Sequence, residues 1–195
     1  SIAYHHFMTD VMLLWDTKTL FEKLFQENNL NCKRVLSTSL GTPFLPPCKS
    51  VIIPTGFANF QYTTIASGIE QNKKSFEKFL KNGGIVTIFG PMVSEYNYQW
   101  LPVQLTYIQE HKSTPLQKIG EHEAQSIIEK PDETIECDGY FSETDGQILY
   151  KNDEGKPVMV AKEYNSGLII ATTIHEFPSK KFLEWIKNYG KRTQI

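Results

Sequence analysis

Short apolar runs alternate with amphipathic segments along the first 90 residues. The runs 11–15, 50–54 and 85–89 are almost continuously apolar, which is typical of strands that are buried on both faces. The segment 32–38 predicts one further strand, with Val35 and Leu36 at its centre. Strands that alternate with amphipathic helices favour a largely parallel sheet with helices packed on both faces.

Local signals predict where the helices begin and end. Thr19 and Glu22 have capping-box spacing, which predicts the start of a first helix. A second helix is predicted over 70–81 and ends at Gly83 and Gly84, which tolerate positive φ. A third is predicted to begin at Ser179. The side chains predicted to face the core are Leu20, Phe21, Leu24, Phe25, Ile69, Phe76, Phe79, Leu80, Phe182, Leu183, Ile186 and Tyr189.

The second half of the chain has a different pattern. Runs at 157–161 and 168–173 flank the turn-like residues 164–167 and predict an antiparallel hairpin. Residues 91–156 lack strong periodicity, and turns are predicted at 138–141 and 145–146. The sequence therefore predicts one domain over 1–195, a three-layer α/β/α sandwich. Its mostly parallel, flavodoxin-like sheet would carry a late antiparallel hairpin and a less regular insertion at about 91–156.

Composition narrows the class of protein. The chain has 195 residues and a net charge of −2, which predicts neither nucleic acid nor a membrane surface as partner. No apolar run approaches the ~20 residues of a membrane span. Cysteines stand at 32, 48 and 137 without a CxxC pair, which indicates a reducing, cytoplasmic setting with no disulfide framework. The adjacent His5 and His6 point in different directions on a regular element, so no metal and no cofactor is expected.

Four features occur in an order that resembles a known superfamily. Residues 50–56 form a strand leading into a Pro-x-Gly loop, and 76–84 form a helix ending in Gly-Gly. Residues 85–90 are the next strand and its turn, and 162–178 form a hairpin that ends in a His-Glu pair. This order resembles the class I glutamine amidotransferase-like superfamily, including its ThuA-like and other non-amidotransferase branches. The resemblance covers roughly 11–89 and 157–185.

The resemblance implies a catalytic cysteine in the tight turn after the strand at 85–89. Alignment on the Gly-Gly pair places Phe89 at that position, a slip of one residue places Gly90 there, and a slip of three places Met92. None of these side chains is a nucleophile, and the three cysteines lie elsewhere. The sequence therefore predicts that the domain is not a cysteine-dependent glutaminase.

The resemblance also implies a histidine and a glutamate on a late strand, which His175 and Glu176 match as a remnant pair. Adjacent residues on a strand point to opposite faces, so the two cannot face one site unless the chain bends. Ser94 is a candidate replacement nucleophile or an N-cap serine. The predicted ligand pocket at the strand ends consists of Thr55, Gly56, Phe57, Gly90, Pro91, Met92 and His175.

Three hypotheses follow for function. The first is a non-catalytic domain that binds or responds to a small molecule, with the Thr55–Gly56 loop as an anion site or as a plain connection. The second is an oligomeric or interaction subunit that uses the aromatic segment 96–107, unless those rings form a core of their own. The third is a hydrolase in which His175 works with Glu95 or Glu176. The stretch 136–140 is a further candidate, since it can bring Cys137 and Asp138 to the cleft.

Overall fold

Two β-sheets organise the protein in the computed structural model, which describes residues 8–195. Their strands are β1 (Val11–Leu14), β2 (Cys32–Val35), β3 (Ser50–Ile53), β4 (Ile85–Ile88), β5 (Glu95–Asn97), β6 (Leu105–Thr114), β7 (Gln117–Lys118), β8 (Ile135–Thr144), β9 (Gln147–Lys151), β10 (Pro157–Tyr164) and β11 (Gly167–Thr172).

The larger sheet has eight strands in the order β2-β1-β3-β4-β11-β10-β9-β7. The first five run parallel to their neighbours, and the remaining pairs are antiparallel. Strands β10 and β11 form the predicted hairpin, whose turn places Asn165 at φ 51. Asparagine tolerates this left-handed conformation better than most residues. The fold is therefore mixed α/β, with a large and mostly parallel sheet.

Four α-helices accompany the sheet within the described residues, and two of them begin at the predicted caps, whereas the helix predicted over 70–81 is divided into two. The Thr19 hydroxyl accepts from the Phe21 amide while Glu22 accepts from the Thr19 amide, as a capping box requires. The Ser179 hydroxyl accepts from the Phe182 amide. The helices are α1 (Leu20–Glu27), α2 (Ala66–Glu70), α3 (Lys73–Lys81) and α4 (Lys180–Tyr189).

Alternate residues of the central strands enter separate hydrophobic clusters. Met12 and Leu14 pack in one cluster with side chains of α2 and α3, whereas Val11 and Leu13 pack in another with α1 and α4. Two side chains predicted to face the core do not. Leu20, the first residue of α1, is 69% exposed, and Tyr189, the last residue of α4, is 49% exposed, because each lies at a helix end beyond the packed stripe.

The smaller sheet, β5-β6-β8, occupies much of the segment 91–156, which lacks strong periodicity in the sequence. The turn predicted at 145–146 is present between β8 and β9. The turn predicted at 138–141 is wrong, because these residues lie in the middle of β8. Gly139 serves there for close packing: a Cβ would stand 2.6 Å from the Tyr107 ring and 2.3 Å from the Ile108 carbonyl oxygen. Over residues 8–195, no helix is both long and apolar enough to cross a bilayer.

Candidate functional site

A cavity of about 560 Å³ opens where the parallel strands end. In open α/β sheets, ligands bind outside the carboxyl ends of the strands. Four of the seven predicted pocket residues line the cavity, together with three that the sequence did not indicate. The lining residues are Trp15, Thr55, Gly56, Gln61, Tyr62, Met92 and His175.

The other three predicted residues do not line the cavity but belong to the structure that supports it. Phe57 is fully buried and packs edge-on against the Trp100 ring. The carbonyl of Gly90 accepts from the Gly56 amide at 2.7 Å, and that of Pro91 accepts from the Ala58 amide at 3.3 Å. The Gly56 and Ala58 amides are thus engaged within the fold, which removes two donors from the anion site considered for this loop.

Met92 occupies the unusual backbone position of the turn after β4. Its φ is 60, a left-handed value that is uncommon for a residue with a Cβ. The Asn59 side chain donates to the Met92 carbonyl at 2.9 Å and ties this turn to the loop after β3. Phe89 points away from the cavity and packs against Phe21, with ring centroids 5.5 Å apart. In this turn, the side chain that reaches the cavity is therefore a thioether.

His175 is held from beneath by a carboxylate. Its Nδ1 atom lies 3.4 Å from Asp138 Oδ2, and the imidazole remains 41% exposed while the Asp138 side chain is 1% exposed. The ring of His111 stands edge-on at 6.4 Å. An imidazole oriented through Nδ1 leaves Nε2 to meet a ligand or a water molecule.

The two sheets meet in the backbone that brings Asp138 to His175. The Asp138 amide donates to the Thr173 carbonyl, and the His175 amide donates to the Glu136 carbonyl, each at 2.8 Å. Cys137 and Ile174 form an antiparallel bridge between these bonds. The middle of β8 therefore pairs with the segment that follows β11. This pairing fixes the Asp138 carboxylate next to the His175 imidazole.

Burial dominates the electrostatics of Asp138. It raises the pKa of this carboxyl above the ordinary 3.8, although hydrogen bonds from Tyr107 and His175 and the nearby charge of His111 act in the opposite direction. The Tyr107 hydroxyl donates to Asp138 Oδ1 at 2.8 Å. Both carboxylate oxygens thus have a partner within the protein.

The remaining candidates do not join this arrangement. Glu176 lines a different cavity, beside Phe177 and Ser179. His175 and Glu176 follow the end of β11 and do not lie on a strand, so strand alternation is not what separates the two side chains. Ser94 and Glu95 are exposed at the start of β5 and do not line the His175 cavity. Cys137 is buried, and burial raises its pKa to about 12, so its thiol is protonated at neutral pH.

Two other features bear on the choice of site. A cavity of about 630 Å³ lies elsewhere, between α4 and the segment around His122, and none of its lining residues lines the His175 cavity. Within the described part of the chain, no three histidine, cysteine or acidic side chains form a group that could hold a metal ion. The His175 cavity is therefore the candidate site.

Comparison with known proteins supports the fold only. No model of a protein family matches the chain, and no curated protein matches it. Cytoplasmic protein STM1381 from Salmonella typhimurium LT2 superposes with a TM-score of 0.54 at 13% identity, over 94% of this chain and 100% of that one. Cytoplasmic protein STM3548 from Salmonella typhimurium gives 0.55 at 10%, over 94% and 100%.

A β-galactosidase from Bacillus circulans sp. alkalophilus also resembles the chain, with a TM-score of 0.53 at 10% identity. The alignment covers 93% of this chain but 30% of the enzyme. The fold thus occurs both as a whole chain and as part of a much larger one.

Proposed function

We propose that the chain is a non-catalytic, glutamine amidotransferase-like domain of flavodoxin-like, three-layer architecture, which binds a small regulatory molecule in the His175 cavity. One observation carries the proposal. His175 faces an open cavity and is oriented by buried Asp138, while the unusual turn position beside it holds Met92. The cavity volume falls in the usual range for small-molecule sites.

The same geometry argues against acyl transfer. That chemistry needs an activated nucleophile and free donors for the oxyanion. The residues described around the cavity include neither cysteine nor serine, and their one aliphatic hydroxyl, on Thr55, makes no hydrogen bond to His175 that would activate it. The Gly56 amide, in the loop after β3, donates to the Gly90 carbonyl and is therefore not a free donor for an oxyanion. The arrangement supports recognition by His175 rather than covalent catalysis.

Hydrolysis by acid–base chemistry is the second candidate. The observation that favours it is the buried carboxylate at 3.4 Å from His175 Nδ1, since an oriented imidazole can take a proton from water through Nε2. The carboxylate in this candidate is Asp138, and neither Glu95 nor Glu176 takes part. Incubating the protein with nitrophenyl esters and anilides tests it: release of nitrophenol or nitroaniline that His175→Ala abolishes would favour this candidate.

The aromatic segment 96–107 supports an interface less well. Tyr98, Trp100 and Tyr107 are each 2% exposed or less and pack against Phe57 or Phe141. These rings form a core beneath the smaller sheet, so they present little area to another chain. We also propose a cytoplasmic location, in keeping with the absence of a CxxC pair and with the names of the two Salmonella proteins.

Methionine methyl resonances test the binding proposal. The chain has four methionines, of which Met92 lines the cavity while Met12 and Met159 are fully buried. Protein labelled with ¹³C at the methionine methyl groups is titrated with a library of small neutral, anionic and cationic fragments. We expect some fragments to shift the Met92 methyl saturably and to leave Met12 and Met159 unchanged.

His175→Ala provides the matched variant, and Met92→Leu assigns the resonance. Fragments that bind through the imidazole should bind His175→Ala more weakly. A library that leaves the Met92 methyl unperturbed would contradict the proposal.

A further inference from the structure

The cavity beside His175 is unusually poor in charge. Its described lining residues include no lysine, arginine, aspartate or glutamate, and His175 is the sole side chain among them that can carry a positive charge. The carboxylate of Asp138 is covered by that imidazole and fully buried. A ligand here meets at most one positive charge.

The backbone adds few donors to compensate. Phosphate sites in proteins combine cationic side chains with free amide groups. In the loop after β3, the amides of Gly56, Ala58 and Asn59 all donate to carbonyl groups of the protein. A multiply charged phosphate or nucleotide would therefore lose its hydration without equivalent partners.

Apart from His175, much of the cavity lining is apolar. Trp15, Tyr62 and Met92 contribute two aromatic rings and a thioether to the lining. The Tyr62 ring is 55% exposed and lies against Gly56, where a Cβ would stand 2.9 Å from its Cδ2 atom. Gly56 has φ +93, a backbone conformation that glycine permits. Because glycine has no Cβ, it also leaves space for the Tyr62 ring.

One exposed apolar residue adjoins this surface along the chain. Phe60, next to the lining residue Gln61, is 80% exposed. Together with the exposed Tyr62 ring, it adds aromatic surface beside the cavity.

We infer that the ligand is an amphipathic small molecule that is neutral or carries one negative charge. Its single polar end, a carboxylate or a carboxamide, meets His175 Nε2, and its apolar body lies on Tyr62, Trp15 and Met92. This inference rests on the proposed function and adds the chemical class of the ligand.

Three probes separate this class from the alternatives: octanoate, octanamide and adenosine monophosphate. Each is titrated into the full chain, with the Met92 methyl resonance as readout and calorimetry for affinity. We expect octanoate and octanamide to shift Met92 saturably, and adenosine monophosphate to leave it unchanged.

Two variants define the contacts. Tyr62→Ala should weaken octanamide about tenfold, since it removes an aromatic surface on which the apolar body rests. Phe44→Ala is the matched control, because Phe44 is 85% exposed but does not line the cavity, and it should leave the affinity unchanged.

The outcomes distinguish the inference from the proposed function. If adenosine monophosphate shifts Met92 and the octanoyl probes do not, the inferred class is wrong while the cavity remains a binding site. If none of the three perturbs Met92, the class is likewise wrong, and the fragment library decides whether the cavity binds anything. If Tyr62→Ala and Phe44→Ala change the affinity equally, the apolar body does not lie on Tyr62.

Discussion

Gly90 leaves the space that Asp138 fills: a Cβ on Gly90 would stand 2.1 Å from Asp138 Oδ1. Such a separation is far inside van der Waals contact, and the atom involved belongs to a carboxylate held by Tyr107 and His175. The glycine in the turn after β4 and the aspartate on β8 therefore depend on each other.

Gly90→Ala should displace Asp138 and destabilise the fold by about 1–3 kcal/mol, the usual cost of overpacking. Chemical denaturation measures the loss. In Gly90→Ala/Asp138→Ala, the clash is absent, so the double variant should lose less than the sum of the two single variants. Additive losses would show that the two residues do not interact.

Asp138→Asn tests the charge state of the buried carboxyl. Because burial raises the pKa of Asp138 above 3.8, the folded chain keeps a proton that the unfolded chain has released. That contribution to stability is complete below the unfolded pKa and is lost as the pH rises through the folded pKa. Asparagine has no such dependence, so the free energy of unfolding should shift in favour of the variant as the pH rises from 3.8 through the folded pKa of Asp138.

Asp145→Asn is a control of opposite sign. Although burial opposes it, hydrogen bonds from the Gln104 amide and Lys162 hold the pKa of Asp145 below 3.8. That stability is present above the unfolded pKa and is lost as the pH falls. The free energy of unfolding of Asp145→Asn should therefore fall relative to that of the parent as the pH rises. If this difference from the parent had the same pH slope for Asp138→Asn and Asp145→Asn, the assignment would be contradicted.

Tyr98 and Tyr107 form a matched pair of buried tyrosines. The Tyr98 hydroxyl has no hydrogen-bond partner among the described residues, whereas the Tyr107 hydroxyl donates to Asp138. Tyr107→Phe should cost about 1–3 kcal/mol, because it leaves a buried carboxylate oxygen without its donor. Tyr98→Phe should be neutral or stabilising, since it removes a buried hydroxyl that is unpaired. Equal losses in urea unfolding would refute this distinction.

Met92→Cys reports whether residue 92 reaches the solvent in the cavity. Burial raises the pKa of the native thiols of Cys32, Cys48 and Cys137 to about 12, so their alkylation is slow. Iodoacetamide should label Met92→Cys about a hundredfold faster than these thiols, as followed by intact mass.

Phe44→Cys supplies an exposed reference thiol. A fragment that binds the cavity should protect Met92→Cys and leave Phe44→Cys reactive. Labelling of Met92→Cys at the rate of the native thiols would mean that the turn does not open to the cavity.

Local patterns were sufficient for the frame of the fold. The apolar runs at β1, β3 and β4 depend on burial on both faces, and the Thr19 and Ser179 caps depend on a few neighbouring residues, so both are visible in the sequence. Residues 138–141 were mistaken for a turn because Asp-Gly is common in turns. The burial of Asp138 comes from pairing with Thr173 and His175, which lie 35 and 37 positions later in the chain, and no local pattern records it.

Part of the cavity lining could be predicted from the sequence, because some lining residues directly follow the predicted strands. Thr55, Gly56, Met92 and His175 follow strands whose carboxyl ends meet at one edge. Trp15, Gln61 and Tyr62 reach that edge through the path of their loops. The choice among Phe89, Gly90 and Met92 depends on backbone conformation, and the positive φ belongs to Met92.

The imidazole nitrogens of His175 test the central claim most directly. Long-range ¹H–¹⁵N correlation spectra, assigned with His175→Ala, are recorded while a fragment that shifts the Met92 methyl is added. We predict that the Nε2 resonance of His175 shifts in step with Met92 and that the fragment remains chemically unchanged after prolonged incubation. A fragment that occupies the cavity without moving the His175 resonances, or one that is converted to product, would contradict a non-catalytic site built on His175.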